Sequence, residues 1–333
     1  MMTYEMFKEI VADRIMDYMP EEFKDRKITM SSVEKVNQQR DAISFMGCKE
    51  DETKISPNLY LDTLYEEYRH YEDIELVLAK GAEDMCRYFK EGVEMIENWD
   101  LKEIREHVIF QLINTEQNKE YLETLPHREY LDLSIIYRWI VDKEENGLVS
   151  AIITNQVAEA KGLSEDELFF YASNNTKELA PPTVKPMSII IEELMTDETI
   201  PFDLQDAIEH GVELEEPMVV ITNEMRHFGA SAMLDNRILD AVTQLFQSPV
   251  YILPSSIHET IAIPTKDTSP EMLADMVHEI NETQVDVSER LSNQVYHYDP
   301  EIRKLTMATD TPHKELTGHR EDKLFEVTRG AVR

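Results

Sequence analysis

Pairs of short β-branched runs, each pair separated by only a few residues, constrain this chain more than any other feature. KITMSSVEKV and AISFMG flank NQQRD, LDLSIIYRWIVD and GLVSAIITN flank KEEN, and VYILPS lies just before ETIAIP. Strands joined so tightly pair antiparallel, because a parallel pair needs a crossover of about a dozen residues or more. The expected fold class is therefore α+β, with mixed helices packed on largely antiparallel, hairpin-rich sheets. A doubly wound parallel sheet is not expected.

Helical periodicity fills the intervals. Phe7, Ile10, Val11, Ile15 and Tyr18 form one apolar stripe near the N-terminus. Ser56-Pro57 reads as the N-cap and first position of a helix carrying Leu59, Leu61, Leu64 and Tyr68, with a second helix over about 73–91. A short helix is expected over 118–125, ended by Pro126, and Ser164-Glu165-Asp166-Glu167 spells a capping box opening a helix toward Asn174. Further helices are expected over about 231–247 and from Thr268-Ser269-Pro270-Glu271 onward. HVIFQLIN, MVVITN and SNQVYHYD read as further strands, the last of them closing the fold, while PPTVKP reads as a break in regular structure. The organisation this gives is an N-terminal helix, hairpin and helical pair over 1–126, a C-terminal α+β domain over 127–308, and a loosely attached polar tail over 309–333.

Composition bears on partners. There are 67 Asp and Glu against 33 Lys and Arg, a formal net charge of −34. That field repels phosphates and anionic lipid surfaces, so neither direct nucleic-acid binding nor membrane association is expected, and a basic protein partner is. Solubility alone is the plain alternative. Two cysteines, Cys48 and Cys86, suit a reducing compartment. The N-terminal segment has no basic stretch before an apolar run, and no apolar run reaches the ~18 residues of a membrane span. A cytoplasmic location is expected.

The runs KISPNLYLDTLYEEY, QLINTEQNKEYLETLPHREYLDLSIIYRW, GASAMLDNRILDAVTQLFQSPVYILPSSIHETIAIP and MVHEINETQVDVSERLSNQVYHYD together resemble the domain-of-unknown-function family numbered 5688, over about 25–300. The resemblance implies a bacterial source, among gut anaerobes and often near mobile elements. It supplies no reaction. The block from Leu131 to Pro264 also resembles a second uncharacterised bacterial family, in which strand, helix and strand precede an Ala-Ser-x-x-Leu helix.

Motifs that carry chemistry are scarce. The sequence holds no Gly-rich phosphate loop, no G-x-S-x-G elbow, no H-E-x-x-H and no C-x-x-C, so no cofactor and no metal is expected. Ser256, His258 and Glu259, in the loop Ser255–Glu259, are the residue types that nucleophilic or metal-assisted hydrolysis uses. Neighbours on an extended chain point to opposite faces, however, and Pro254-Ser255-Ser256 also spells a plain turn. Asn223, Arg226 and His227 follow a strand end, where Arg226 is a candidate anion ligand or a partner for nearby acids. His278-Glu279, with Asp275 before it, offers a metal edge or a solvated face. Tyr60, Tyr65, Tyr68 and Tyr71, with Arg69 among them, read as core or a partner groove.

The most lopsided stretch lies between Lys185 and Arg226, where no other Lys or Arg occurs. Glu192, Glu193, Asp197, Glu198, Glu209, Glu213, Glu215 and Glu216 are the candidate partner-binding residues there, spaced so that carboxylates can stand in for phosphates in a basic channel. A solvated acidic face is the plain reading. Two functions follow: a non-catalytic acidic protein binding a basic partner, such as a nucleic-acid enzyme of a mobile element or defence system, or a hydrolase or metal-dependent enzyme built on Ser255–Glu259.

Overall fold

A computed structural model of the chain describes residues 2–45, 58–97, 103–144, 147–266 and 268–309. The chain divides into two compact units, Met1–Leu101 and Lys102–Arg333. This division falls earlier than the expected 126/127 boundary because HVIFQLIN pairs with a strand that follows it. The expected tail lies outside the described residues, except for Thr309, which is buried.

In the first unit, α1 (Tyr4–Arg14) precedes a three-stranded sheet of β1 (Ile28–Lys35), β2 (Gln38–Phe45) and β3 (Asn58–Tyr60). The hairpin is tighter than the sequence suggests. Asn37, with φ of 58°, takes the left-handed position that Asn tolerates, and the polar run after it forms β2. Ser56 and Pro57 lie outside the described residues, and the expected early helix begins only at α2 (Leu61–Tyr71), after β3. With α3 (Ile74–Glu97) it closes a core of Phe7, Val11, Ile43, Leu61, Leu64 and Val77. Tyr65 and Tyr68 pack on Phe7 at 5.2 and 5.7 Å between ring centroids, so the tyrosine-rich helix serves this core while Tyr71 is exposed.

The second unit holds two sheets. After α4 (Glu103–His107), β4 (Val108–Asn114) pairs with β6 (Leu133–Glu144), which also pairs with β5 (His127–Tyr130) and β7 (Gly147–Ile152). The short α5 (Lys119–Leu122) lies between β4 and β5. After α6 (Asn155–Lys161) comes α7 (Glu165–Leu179), whose start is fixed by the expected capping box: Ser164 accepts the Glu167 N–H while Glu167 accepts the Ser164 N–H. Phe169 of α7 packs on Phe110 of β4 at 5.2 Å.

The six-stranded sheet runs β13-β12-β10-β11-β9-β8, from β8 (Pro182–Pro186), β9 (Val219–Asn223), β10 (Val250–Leu253), β11 (Thr260–Pro264), β12 (Tyr296–Asp299) and β13 (Lys304–Met307). Among the described residues every pairing of these strands is antiparallel, and the fold is α+β. PPTVKP, expected to break regular structure, is the edge strand β8. Prolines lack the N–H a central strand must donate, but an edge strand has one side free of a neighbour. β13 follows the strand expected to be last. Between β8 and β9 come α8 (Met187–Thr196) and α9 (Leu204–Glu209), then α10 (Asn236–Phe246) before β10 and α11 (Pro270–Thr283) before β12. Pro270 opens α11, as expected, and Ser269 is its N-cap, whereas Gly229–Leu234 is a 3₁₀ segment ahead of a later α10.

Candidate functional site

The acidic stretch resolves into two kinds of carboxylate. Glu193 is only 6 % exposed, although the sequence places it with the partner-facing acids. It sits on the sheet-facing side of α8 and accepts Lys185 Nζ on Oε1 at 2.5 Å and Arg226 Nη2 on Oε2 at 2.5 Å. Oε1 also accepts the Ile200 N–H at 2.9 Å, and Lys185 Nζ donates to the Ile200 carbonyl at 3.1 Å. These contacts, the Lys185 bond foremost, draw the carboxyl down to a pKa of about 2. Glu193 therefore pins α8 and the loop after it to β8 and to the turn beyond β9. The candidate anion ligand Arg226 is committed to Glu193, in a left-handed backbone position with φ of 53°.

The other candidates, Glu192, Asp197, Glu198, Glu209, Glu213, Glu215 and Glu216, are exposed. Apolar side chains accompany them. On α8, Ile191, Leu194 and Met195 are 43, 74 and 81 % exposed and fall at i, i+3 and i+4, one stripe of the helix. Apolar groups thus stand in the open beside acids on this helix. The sequence signal for this stripe was present in MSIIIEELMT, whose apolar residues are too many for one buried face of a short helix.

The Ser255–Glu259 loop is locked by other contacts. Ser256 is buried, and its Oγ accepts the His258 backbone N–H at 3.0 Å. His258 Nδ1 accepts the Phe228 N–H at 3.3 Å, which places the ring proton on Nε2, 3.4 Å from Glu289. Glu259 points to solvent. The three side chains are not brought into hydrogen-bond contact with one another. What converges instead is a structural corner: the Asn223 amide bonds His227 in both directions, Thr222 Oγ1 donates to the His258 carbonyl at 2.7 Å, and Arg138 lies 4.2 Å from the centroid of the Phe228 ring. Gly229 sits in the middle, where an added Cβ would stand 2.2 Å from Thr222 Oγ1 and 2.5 Å from the His258 oxygen. Sequence reasoning singled out Asn223, Arg226 and His227 but missed that His258 belongs with them.

A model of the family of unknown function DUF5688 matches residues 4–300. The chain belongs to that family. No curated protein and no solved structure matches this DUF5688 member. Among its described residues no cluster of three or more His, Cys, Asp or Glu side chains is placed to hold a metal ion. His278, expected at a metal edge, meets Asn293 at 3.2 Å and faces Glu282 at 3.5 Å. No described helix is long and apolar enough to cross a membrane.

Proposed function

We propose that this DUF5688 member is a non-catalytic interaction protein of the cytoplasm that binds a basic protein partner through α8, α9 and the segment leading to β9. The observation that carries this reading is the stripe Ile191, Leu194 and Met195, set open among acids in a stretch where Lys185 and Arg226 are the only bases and both are drawn to Glu193. A partner segment with Lys or Arg flanking an apolar face matches that surface. Its cations meet Glu192, Asp197, Glu198 and Glu213, which take the place of phosphates, and its apolar face covers Leu194 and Met195. The long-range field of the protein adds attraction for such a partner and repels nucleic acid.

The test is a tagged capture from a lysate of native cells, washed at low and at high salt, with identification of what is retained. Three variants accompany the wild type: Leu194→Ser/Met195→Ser, the charge reversal Glu213→Lys/Glu215→Lys/Glu216→Lys, and Met272→Ser/Met276→Ser on the exposed side of α11. The expected result is one basic protein held at low salt, released at high salt, absent from the first two variants and kept by the third. Retention unchanged in the first two variants, or lost only in the third, sinks the proposal.

A further inference from the structure

The geometry points to a second site, independent of the α8 face: a cleft beneath α7 that binds a small, flat aromatic molecule carrying one anionic group. The cleft has a volume of about 280 Å³, just under the ~300 Å³ at which small-molecule sites begin. Strand register builds one wall. Ile135 of β6 stands opposite Leu112 of β4 and Arg128 of β5, so Phe110, Ile135, Arg128 and Tyr130 share one face of the sheet. Glu129 alternates to the other face, yet it still borders the cleft and is exposed. Phe169 of α7 and Ala180 just past its end line the cleft, as do Ala232 and Leu234 of the 3₁₀ segment. The guanidinium of Arg128 lies 3.9 Å from the centroid of the Phe169 ring. That flat pair suits a planar ligand.

The polar groups around this apolar space divide sharply. Thr176 accepts the Phe110 N–H at 3.0 Å, Ser173 donates to the Phe169 carbonyl at 2.6 Å, and Ser231 donates to the Phe228 carbonyl at 3.0 Å. Asn223 is held by His227, Asp235 is occupied by Arg237, and the charge of Arg128 is met by Glu165 and Asp166. Two lining donors make no hydrogen bond with a described residue: the Tyr130 hydroxyl and the exposed Lys177 ammonium, whose charge also acts on Asp235. Burial raises the Tyr130 phenol above its usual range and keeps it a donor. Both can donate a hydrogen bond to a ligand, and one is a cation. A carboxylate or sulfonate on an aromatic body would complete them while the body fills the apolar space. The net charge of −34 disfavours anions at long range, so recognition must be local, at short distance and reduced dielectric.

The probes are 8-anilinonaphthalene-1-sulfonate and its uncharged counterpart N-phenyl-1-naphthylamine, titrated by fluorescence against the full folded chain. The expected result is saturable binding of one sulfonate probe per chain. Lys177→Glu, at an exposed helix position, should weaken the sulfonate about tenfold, the scale of a charged hydrogen bond, and leave the neutral probe unchanged. Ala232→Phe, which fills the cleft, should abolish binding of both, its folding checked by circular dichroism. If that variant does not fold, the Lys177→Glu comparison decides alone. Absence of saturable binding, equal behaviour of both probes toward Lys177→Glu, or loss of binding in Leu194→Ser/Met195→Ser would overturn the site.

Discussion

The corner around Gly229 and the outer face of α8 lie in the same unit and have opposite characters. At the corner, Asn223, Ser256 and His258 spend hydrogen bonds on backbone groups, and Phe228 takes the left-handed conformation with φ of 56°. On α8, Leu194 and Met195 stand in solvent with acids around them. Residue types usually associated with catalysis make hydrogen bonds to the backbone here, while residues that look ordinary are open on α8. Chemistry-bearing types are informative only when some of their bonding capacity is free.

The sharpest way to break this comparison is at the corner. Gly229→Ala places a Cβ 2.2 Å from Thr222 Oγ1, 2.5 Å from the His258 oxygen and 2.8 Å from the Asn223 nitrogen. Two of the three contacts are backbone and cannot swing away. Overpacking of this kind costs about 3 kcal/mol, read as a lower midpoint in chemical denaturation. A loss below about 0.5 kcal/mol, the range of ordinary surface changes, would show that the corner is loose.

Next in size is Glu193→Gln. It keeps the shape but leaves Lys185 and Arg226 facing a neutral amide, a loss of about 2 kcal/mol at neutral pH. The pH dependence has a definite sign. The folded carboxyl lies at about 2 against an ordinary 4.5, so its contribution is complete above 4.5 and is lost as pH falls toward 2. The stability gap between wild type and Glu193→Gln should therefore close across that window. A gap that stays constant would mean that packing, not charge, holds α8 in place.

These two positions also mark where the sequence is legible. β-branched runs gave β4, β6, β10 and β11, and the Ser164 and Pro270 spellings located α7 and α11, because each signal is local. β8 was hidden because proline count says nothing about whether a strand has a neighbour on both sides. Glu193 looked like one acid among many. Its only distinguishing signs are its place on the same face as Ile189 and Ile190 and the two bases bracketing the gap, which the fold brings to it. The role of His258 required knowing that the Phe228 N–H approaches from across the corner, which no spacing encodes.

His258→Ala tests the corner more gently. It removes the acceptor of the Phe228 N–H and the group facing Glu289, and leaves Ser256 and its bond to the backbone of residue 258 intact. A loss of about 1 kcal/mol is expected, since one hydrogen bond of a half-buried ring is removed. A stability gain would instead mark His258 as a residue kept for function at the expense of the fold, and would reopen the hydrolase reading.

The smallest expected effect is the one that sharpens the comparison most. Leu194→Ser/Met195→Ser changes two large side chains, yet both are mostly in water already, so little apolar area leaves the core. Thermal unfolding should shift by no more than corresponds to about 0.5 kcal/mol. If the same variant loses the basic partner, stability and binding separate at this face, as they must if Leu194 and Met195 serve a contact outside the chain. A loss of ~2 kcal/mol would show that the stripe is covered within the folded chain, and the partner surface would then have to be sought on the acids alone.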